Sequence, residues 1–174
     1  YSPNFITWFY IWYTRNHFAI SFRIYFHFAC KTTSQNFITR NFDLPVELLF
    51  EAYTDAEIVA QWMNTNVLKL ENKNHGGYLF ETTDPMGNKH RFNGTIHEMQ
   101  TNAFITRTFQ MENTAFPVQL EFLVFEKVTD DTSKLTMHVI YQSVAVRDQI
   151  LQLPFAQGIN MAHNRIQEIV AKNK

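Results

Sequence analysis

The sequence predicts an α+β fold: a curved antiparallel sheet with two short helices near its start and one long C-terminal helix covering a buried face. Three observations carry this. LPVELLFEAYTDAEIVAQWM (44–63) holds two amphipathic segments in series, apolar residues then recur with period two from Asn66 to Ser143, and the last segment switches to a helical period.

Taken in order, QNFITRNFDL (35–44) alternates as a strand does, and Pro45 stands where a first helical turn tolerates it. Helix one follows, with Val46, Leu49, Phe50 and Tyr53 on one side. Thr54 and Glu57 spell a T-x-x-E capping box, so a second helix is expected to start at Thr54 and to bury Ile58, Val59 and Trp62.

NVLKLEN, YLFETT, KHRFNGTIHEM, AFITRTFQME, PVQLEFLVFEKV and SKLTMHVIYQS then read as a meander, with turns at Asn74-His75-Gly76-Gly77 and Asp84-Pro85-Met86-Gly87-Asn88. Val118, Leu120, Phe122 and Val124 are expected on the buried face of their strand, opposite Gln119 and Glu121. Leu135, Met137, Val139 and Tyr141 are expected to do the same in the next one. The cover is the segment from Val144, whose Leu151, Phe155, Ile159 or Gly158, Ala162, Ile166 and Ile169 or Val170 trace an apolar stripe. Pro154 and Gly158 within it predict an irregular or kinked start.

A chain of 174 residues, 45% apolar and 18% charged with net charge −1, is expected to form one core, which excludes a disordered chain and a strongly cationic nucleic-acid binder. The lone Cys30 excludes an intramolecular disulfide and a multi-cysteine zinc site, and fits a reducing, cytoplasmic setting. The division expected is an aromatic, acid-free leader over 1–34 and a domain over 35–174. Phe5 to Tyr13 is about half of the ~20 residues a spanning helix needs, and Arg15, Asn16 and His17 interrupt it, so no stable membrane insertion is expected. The leader is open to three readings: an acid-poor transit peptide or interfacial anchor, extra strands covering the fold, or a stretch outside the ancestral domain.

The order of elements resembles the helix-grip fold of the START-like (SRPBCC, birch-pollen-allergen-like) superfamily. Within it the chain is similar to the homologues of the activator of heat-shock-protein-90 ATPase and to calicheamicin-resistance-type proteins. The residues that carry the resemblance run over about 36–171: Phe42-Asp43-Leu44-Pro45 with Glu47 and Phe50, Thr54-Asp55, Gln61-Trp62, His75-Gly76-Gly77, Asp84-x-x-Gly87 and Phe92-x-Gly94. They continue with Thr108-Phe109, Lys134-Leu135-Thr136, Gln142-Ser143, Arg147-Asp148, Gln157-Gly158 and Arg165. Met63-Asn64-Thr65 replaces the Gly-Pro that usually follows the tryptophan in this branch, and Phe155-Ala156 also departs from it. The resemblance implies a cavity between sheet and long helix that takes an apolar ligand.

Among chemical candidates, His90 and His97 are seven apart on one strand and no metal-ligand spacing is present, so no metal and no cofactor are expected. Ser143, His138 and Asp148 have the residue types of a hydrolase triad but no nucleophile elbow, and Ser143 fits a helix cap. His75-Gly76-Gly77 lacks the trailing Gly-Lys-Ser of a phosphate loop and reads as a turn. Trp62, Phe80, Phe92, Phe109, Phe122, Tyr141 and Phe155, with Ile159 from the helix, are either plain core or the lining of a ligand site. Arg107 shares the inward face of its strand with Ile105, Phe109 and Met111. It either anchors a ligand carboxylate or phosphate at the cavity mouth, or a bulge shifts its register, or it pairs with a core-edge acid such as Glu98.

Three functions follow: a non-catalytic binding protein for a small hydrophobic or amphipathic ligand, a co-chaperone acting on heat-shock protein 90, and an enzyme in which Arg107, Tyr141 or His138 polarises the carbonyl of an aromatic or polyketide-like substrate. The expected partners are the ligand and, in the second reading, a chaperone, with the protein a monomer or homodimer.

Overall fold

The period-two stretches assemble into one eight-stranded antiparallel sheet in the computed structural model, which describes residues 25–27, 33–84, 86–152 and 155–172. The strands are β1 (Tyr25–His27), β2 (Gln35–Phe42), β3 (Asn66–Leu70), β4 (Gly76–Thr83), β5 (Lys89–Gln100), β6 (Phe104–Met111), β7 (Gln119–Lys127) and β8 (Ser133–Ile140). Their order across the sheet is β1-β2-β8-β7-β6-β5-β4-β3, so β3 to β8 form a meander and β2 closes onto β8. β1 lies within the stretch assigned to the leader and pairs with β2, Phe26 standing opposite Ile38.

Helices α1 (Val46–Thr54) and α2 (Ala56–Met63) carry the chain from β2 to the far edge at β3, and α3 (Val144–Gln152) and α4 (Phe155–Lys172) follow β8. Ile166 and Val170 of α4 join Leu49 and Phe50 of α1, Val59 and Trp62 of α2, and Ile38, Tyr78, Ile105, Leu123 and Leu135 of the sheet in one core. Burial of these apolar side chains is the main force holding the helices to the inner face.

The helix break has a different cap from the expected one. Asp55, not Thr54, starts α2: its Oδ1 accepts the N–H groups of Glu57 and Ile58, both at 2.9 Å, while its own N–H closes α1 on Glu51 O. A carboxylate at this position both satisfies free amides and meets the positive end of the helix dipole, so it outcompetes a neutral hydroxyl. Thr54 turns back and donates to Phe50 O. Trp62 Nε1 donates to Ala52 O at 2.6 Å, one of the last carbonyls of α1, and its ring tilts against Tyr53 at 5.1 Å. This bond and ring contact set α2 against α1.

Two further expectations are corrected. In β7 the inward side chains are Gln119, Glu121, Leu123 and Phe125, while Phe122 and Val124 face outward. Apolar residues occur at both parities here, so periodicity is ambiguous, and the register that sets Leu123 beside Met137 and Ile105 decides. At the C-terminus the chain forms two helices, and Leu151 of α3 is exposed while Ile150 packs on Val139 and Tyr141. Pro154, the expected site of irregularity, lies outside the described residues.

Candidate functional site

Strand alternation places a polar group in the middle of the inner face. Arg107 of β6 stands opposite Glu121 of β7, and Glu121 stands opposite Val139 of β8, which in turn faces Asn36 of β2. Arg107 Nε donates to Glu121 Oε2 at 2.8 Å, Gln119 Nε2 donates to Glu121 Oε1 at 2.7 Å, and the guanidinium lies 5.4 Å from the centre of the Tyr78 ring. The acid is therefore held from both sides, so the reading in which Arg107 pairs with an acid holds, with Glu121 as the partner in place of the example Glu98, which is exposed and opposite Thr106. A register shift in β5 between Ile96 and Glu98 separates them.

Three tyrosines surround this pair. Tyr78 donates its hydroxyl to Thr108 O at 2.6 Å across Gly94, where a Cβ would lie 1.9 Å from that carbonyl and 2.5 Å from the hydroxyl; only glycine lets the ring cross. Tyr53 bonds His163 Nε2 of α4 at 3.0 Å. Tyr141, two residues beyond Val139, is buried with its hydroxyl unbonded among the described residues. Burial raises all three phenols above their ordinary value, so they remain neutral. Burial opposes the charge on Arg107, but Glu121 and Tyr78 outweigh it and hold the guanidinium above its ordinary value.

On the helix side, Arg40 of β2 is buried and donates to Asn160 O at 3.2 Å and Asn164 Oδ1 at 2.6 Å, lying over the Phe42 ring. His163 is buried beside it, edge-on to Phe42 and 6.4 Å from Trp62. Burial, then the Arg40 charge, lowers its pKa to about 3, so it is neutral near pH 7.

The residues expected to line a ligand site divide accordingly. Phe92 and Phe109 face inward, 5.6 Å apart, and both remain half-buried on the side of the sheet that carries Arg107. Tyr141 is buried deeper, and Ile159 packs from α4 on the edge of the core. Trp62 is buried between α1 and α4, and Arg165 Nη1 donates to its carbonyl. Phe122 is excluded: it lies on the outer face, stacked at 5.4 Å on His138, which is itself stacked on Phe37 at 4.2 Å and bonded to Gln35. His138 is thereby removed from any inner-face chemistry, Ser143 Oγ caps α3 through Val146 N, and Asp148 pairs with Arg147. The side chain of Phe155 lies outside the described residues.

The profile of the family described as Activator of Hsp90 ATPase homolog 1-like protein matches residues 43–171. The chain belongs to this family. The AHSA1-type fold is shared with a solved Mycobacterium smegmatis protein at TM-score 0.71 and 21% identity, covering 79% of this chain and 90% of that one. A Rhodobacter sphaeroides protein gives 0.77 at 17% identity over 86% and 99% of the two chains. An HSP90 activator from Plasmodium falciparum gives 0.50 at 19% identity over 62% and 73%. No curated protein matches the chain.

In this AHSA1-type domain several site residues escape a reading by hydrophobic pattern. Asn36, Arg40, Glu121 and Gln119 are polar at inward positions, and His163 sits beside Ala162 within the apolar stripe. The alternation Asn36, Ile38, Arg40, Phe42 carries the signal for the first two. No comparable signal marks Glu121, whose strand shows apolar residues at both parities. No helix among the described residues is long and apolar enough to cross a membrane.

Proposed function

We propose that this AHSA1-type domain binds a small, mainly apolar molecule between the inner face of the sheet and α4, without catalysing a reaction on it. The carrying observation is the Phe92–Phe109 pair, two large aromatic rings that keep accessible surface on an inner face where most apolar side chains are buried. Ligand sites are mostly apolar with a few fixed polar groups, and this face has that composition. Phe92 and Phe109 form the wall, Ile159 contributes from the helix, Arg107 and Tyr141 lie deeper, and Trp62 holds the helix end of the space. Arg107 is engaged by Glu121, and Ser143, His138 and Asp148 each have separate structural partners, which favours binding over catalysis. Native mass spectrometry of protein purified without detergent tests the reading: a retained apolar mass supports it, and a ligand-free protein that takes up no apolar probe ends it.

A second reading, stimulation of a heat-shock protein 90 ATPase, is favoured by the family description and by the Plasmodium falciparum neighbour. ATPase turnover of the chaperone with excess of this protein decides it, a flat response removing the co-chaperone role.

A further inference from the structure

Two buried polar groups on the inner face have no hydrogen-bond partner among the described residues: the Tyr141 hydroxyl and the Asn36 amide nitrogen, each on a residue 2% exposed. Native proteins rarely keep such groups, because burial without a partner forfeits the hydrogen bond to water. The two belong to one place. Asn36 stands opposite Val139, and Tyr141 follows Val139 by two on the same face, its N–H continuing the ladder to Ser34 O. Diagonal positions of this kind lie about 7–8 Å apart, within reach of a long aromatic side chain, which brings both groups to a single small oxygen set between them. Tyr141 is also two strands from Phe109, about 10 Å at the usual strand spacing, with the inward Gln119 of β7 between them, so a molecule laid over Gln119 from Phe92 and Phe109 reaches it with the length of two fused rings.

We infer that the polar end of the ligand is a neutral oxygen, a carbonyl or hydroxyl, received by Tyr141 Oη and Asn36 Nδ2; this rests on the binding function proposed above. Charge decides against an anion. Glu121 sits within the same group, and its cation, Arg107, is already engaged at 2.8 Å, with Gln119 taking the other carboxylate oxygen. A ligand carboxylate would meet Glu121 with no cation left to balance it, whereas a neutral oxygen meets two donors. Arg147, the cation whose charge acts on Tyr141, is engaged by Asp148 and Thr33 O.

The test uses isothermal titration of naphthalene, 2-acetylnaphthalene and 2-naphthoate on the full chain, its Tyr141→Phe variant and an Asn36→Leu variant close to the original volume. The wild-type protein is expected to bind 2-acetylnaphthalene at least about tenfold more tightly than 2-naphthoate, and each substitution to lower the acetylnaphthalene-to-naphthalene affinity ratio about 3–10-fold, the worth of one hydrogen bond. 2-Naphthoate binding as tightly as the ketone, or a ratio unchanged in both variants, overturns the assignment while naphthalene binding leaves the proposed function standing. Failure of all three probes to bind overturns both. Thermal melting without ligand is a second readout: Tyr141→Phe should melt no lower than wild type, and a fall of several degrees would show that the hydroxyl already serves the fold.

Discussion

Arg107 Nε lies 2.8 Å from Glu121 Oε2, from facing positions of adjacent strands, with both side chains on the inner face of the sheet. The pair is largely desolvated, so each charge depends on the other. Arg107→Met is expected to destabilise by about 3–5 kcal/mol through the carboxylate left behind, and Arg107→Met with Glu121→Leu to recover most of that loss. Urea denaturation measures both; a double variant as unstable as the single one would show that the pair is not the unit.

Trp62 is expected to matter through its indole nitrogen as well as its bulk. Trp62→Phe keeps most of the apolar contact but leaves Ala52 O, a buried helix-end carbonyl, without the 2.6 Å bond. The expected cost is about 1–3 kcal/mol, read from the urea midpoint, and a change below about 0.5 kcal/mol would contradict it.

The cap at the helix break separates two neighbouring residues. Asp55→Ala should cost about 1 kcal/mol and Thr54→Ala clearly less, since only Asp55 accepts α2 amides. Equal losses in thermal melts would return the cap to Thr54.

His163 predicts an acid-sensitive fold. Its pKa is lowered from 6.5 to about 3 by burial and by Arg40, so the unfolded chain takes up the proton first. The stability it supports is fully present above about pH 6.5 and is lost as pH falls toward 3. Between pH 7 and pH 5 the loss is about 2 kcal/mol, a window above most carboxylate titration. A His163→Gln variant should show a much flatter dependence by urea denaturation at the two pH values; the same slope in both proteins would assign the effect elsewhere.

What pattern makes legible here is element type and order, because the periods of 2.0 and 3.6 are local properties of the chain. The helix pair, the six-strand meander, the inward faces of β6 and β8, and the burial of Trp62 are all readable from residue spacing. β7 is not, because Leu120, Phe122, Leu123, Val124 and Phe125 make both faces apolar, and Phe122 ended outside beside His138. The cap moved by one residue for a chemical reason, since a carboxylate is the stronger acceptor for helix amides.

Local spacing and an ordered set of residues are enough for the α+β class, the family and the inward aim of Arg107. Which acid Arg107 meets, the burial of Arg40 beneath α4 and of His163 on that helix's inner side, and the lack of a partner among the described residues for the Tyr141 hydroxyl and the Asn36 amide nitrogen all follow from tertiary packing. Those outcomes depend on cross-strand register and on where a helix more than a hundred residues away comes to rest, as in the bond from Arg40 to Asn164. Residue spacing along one strand contains neither.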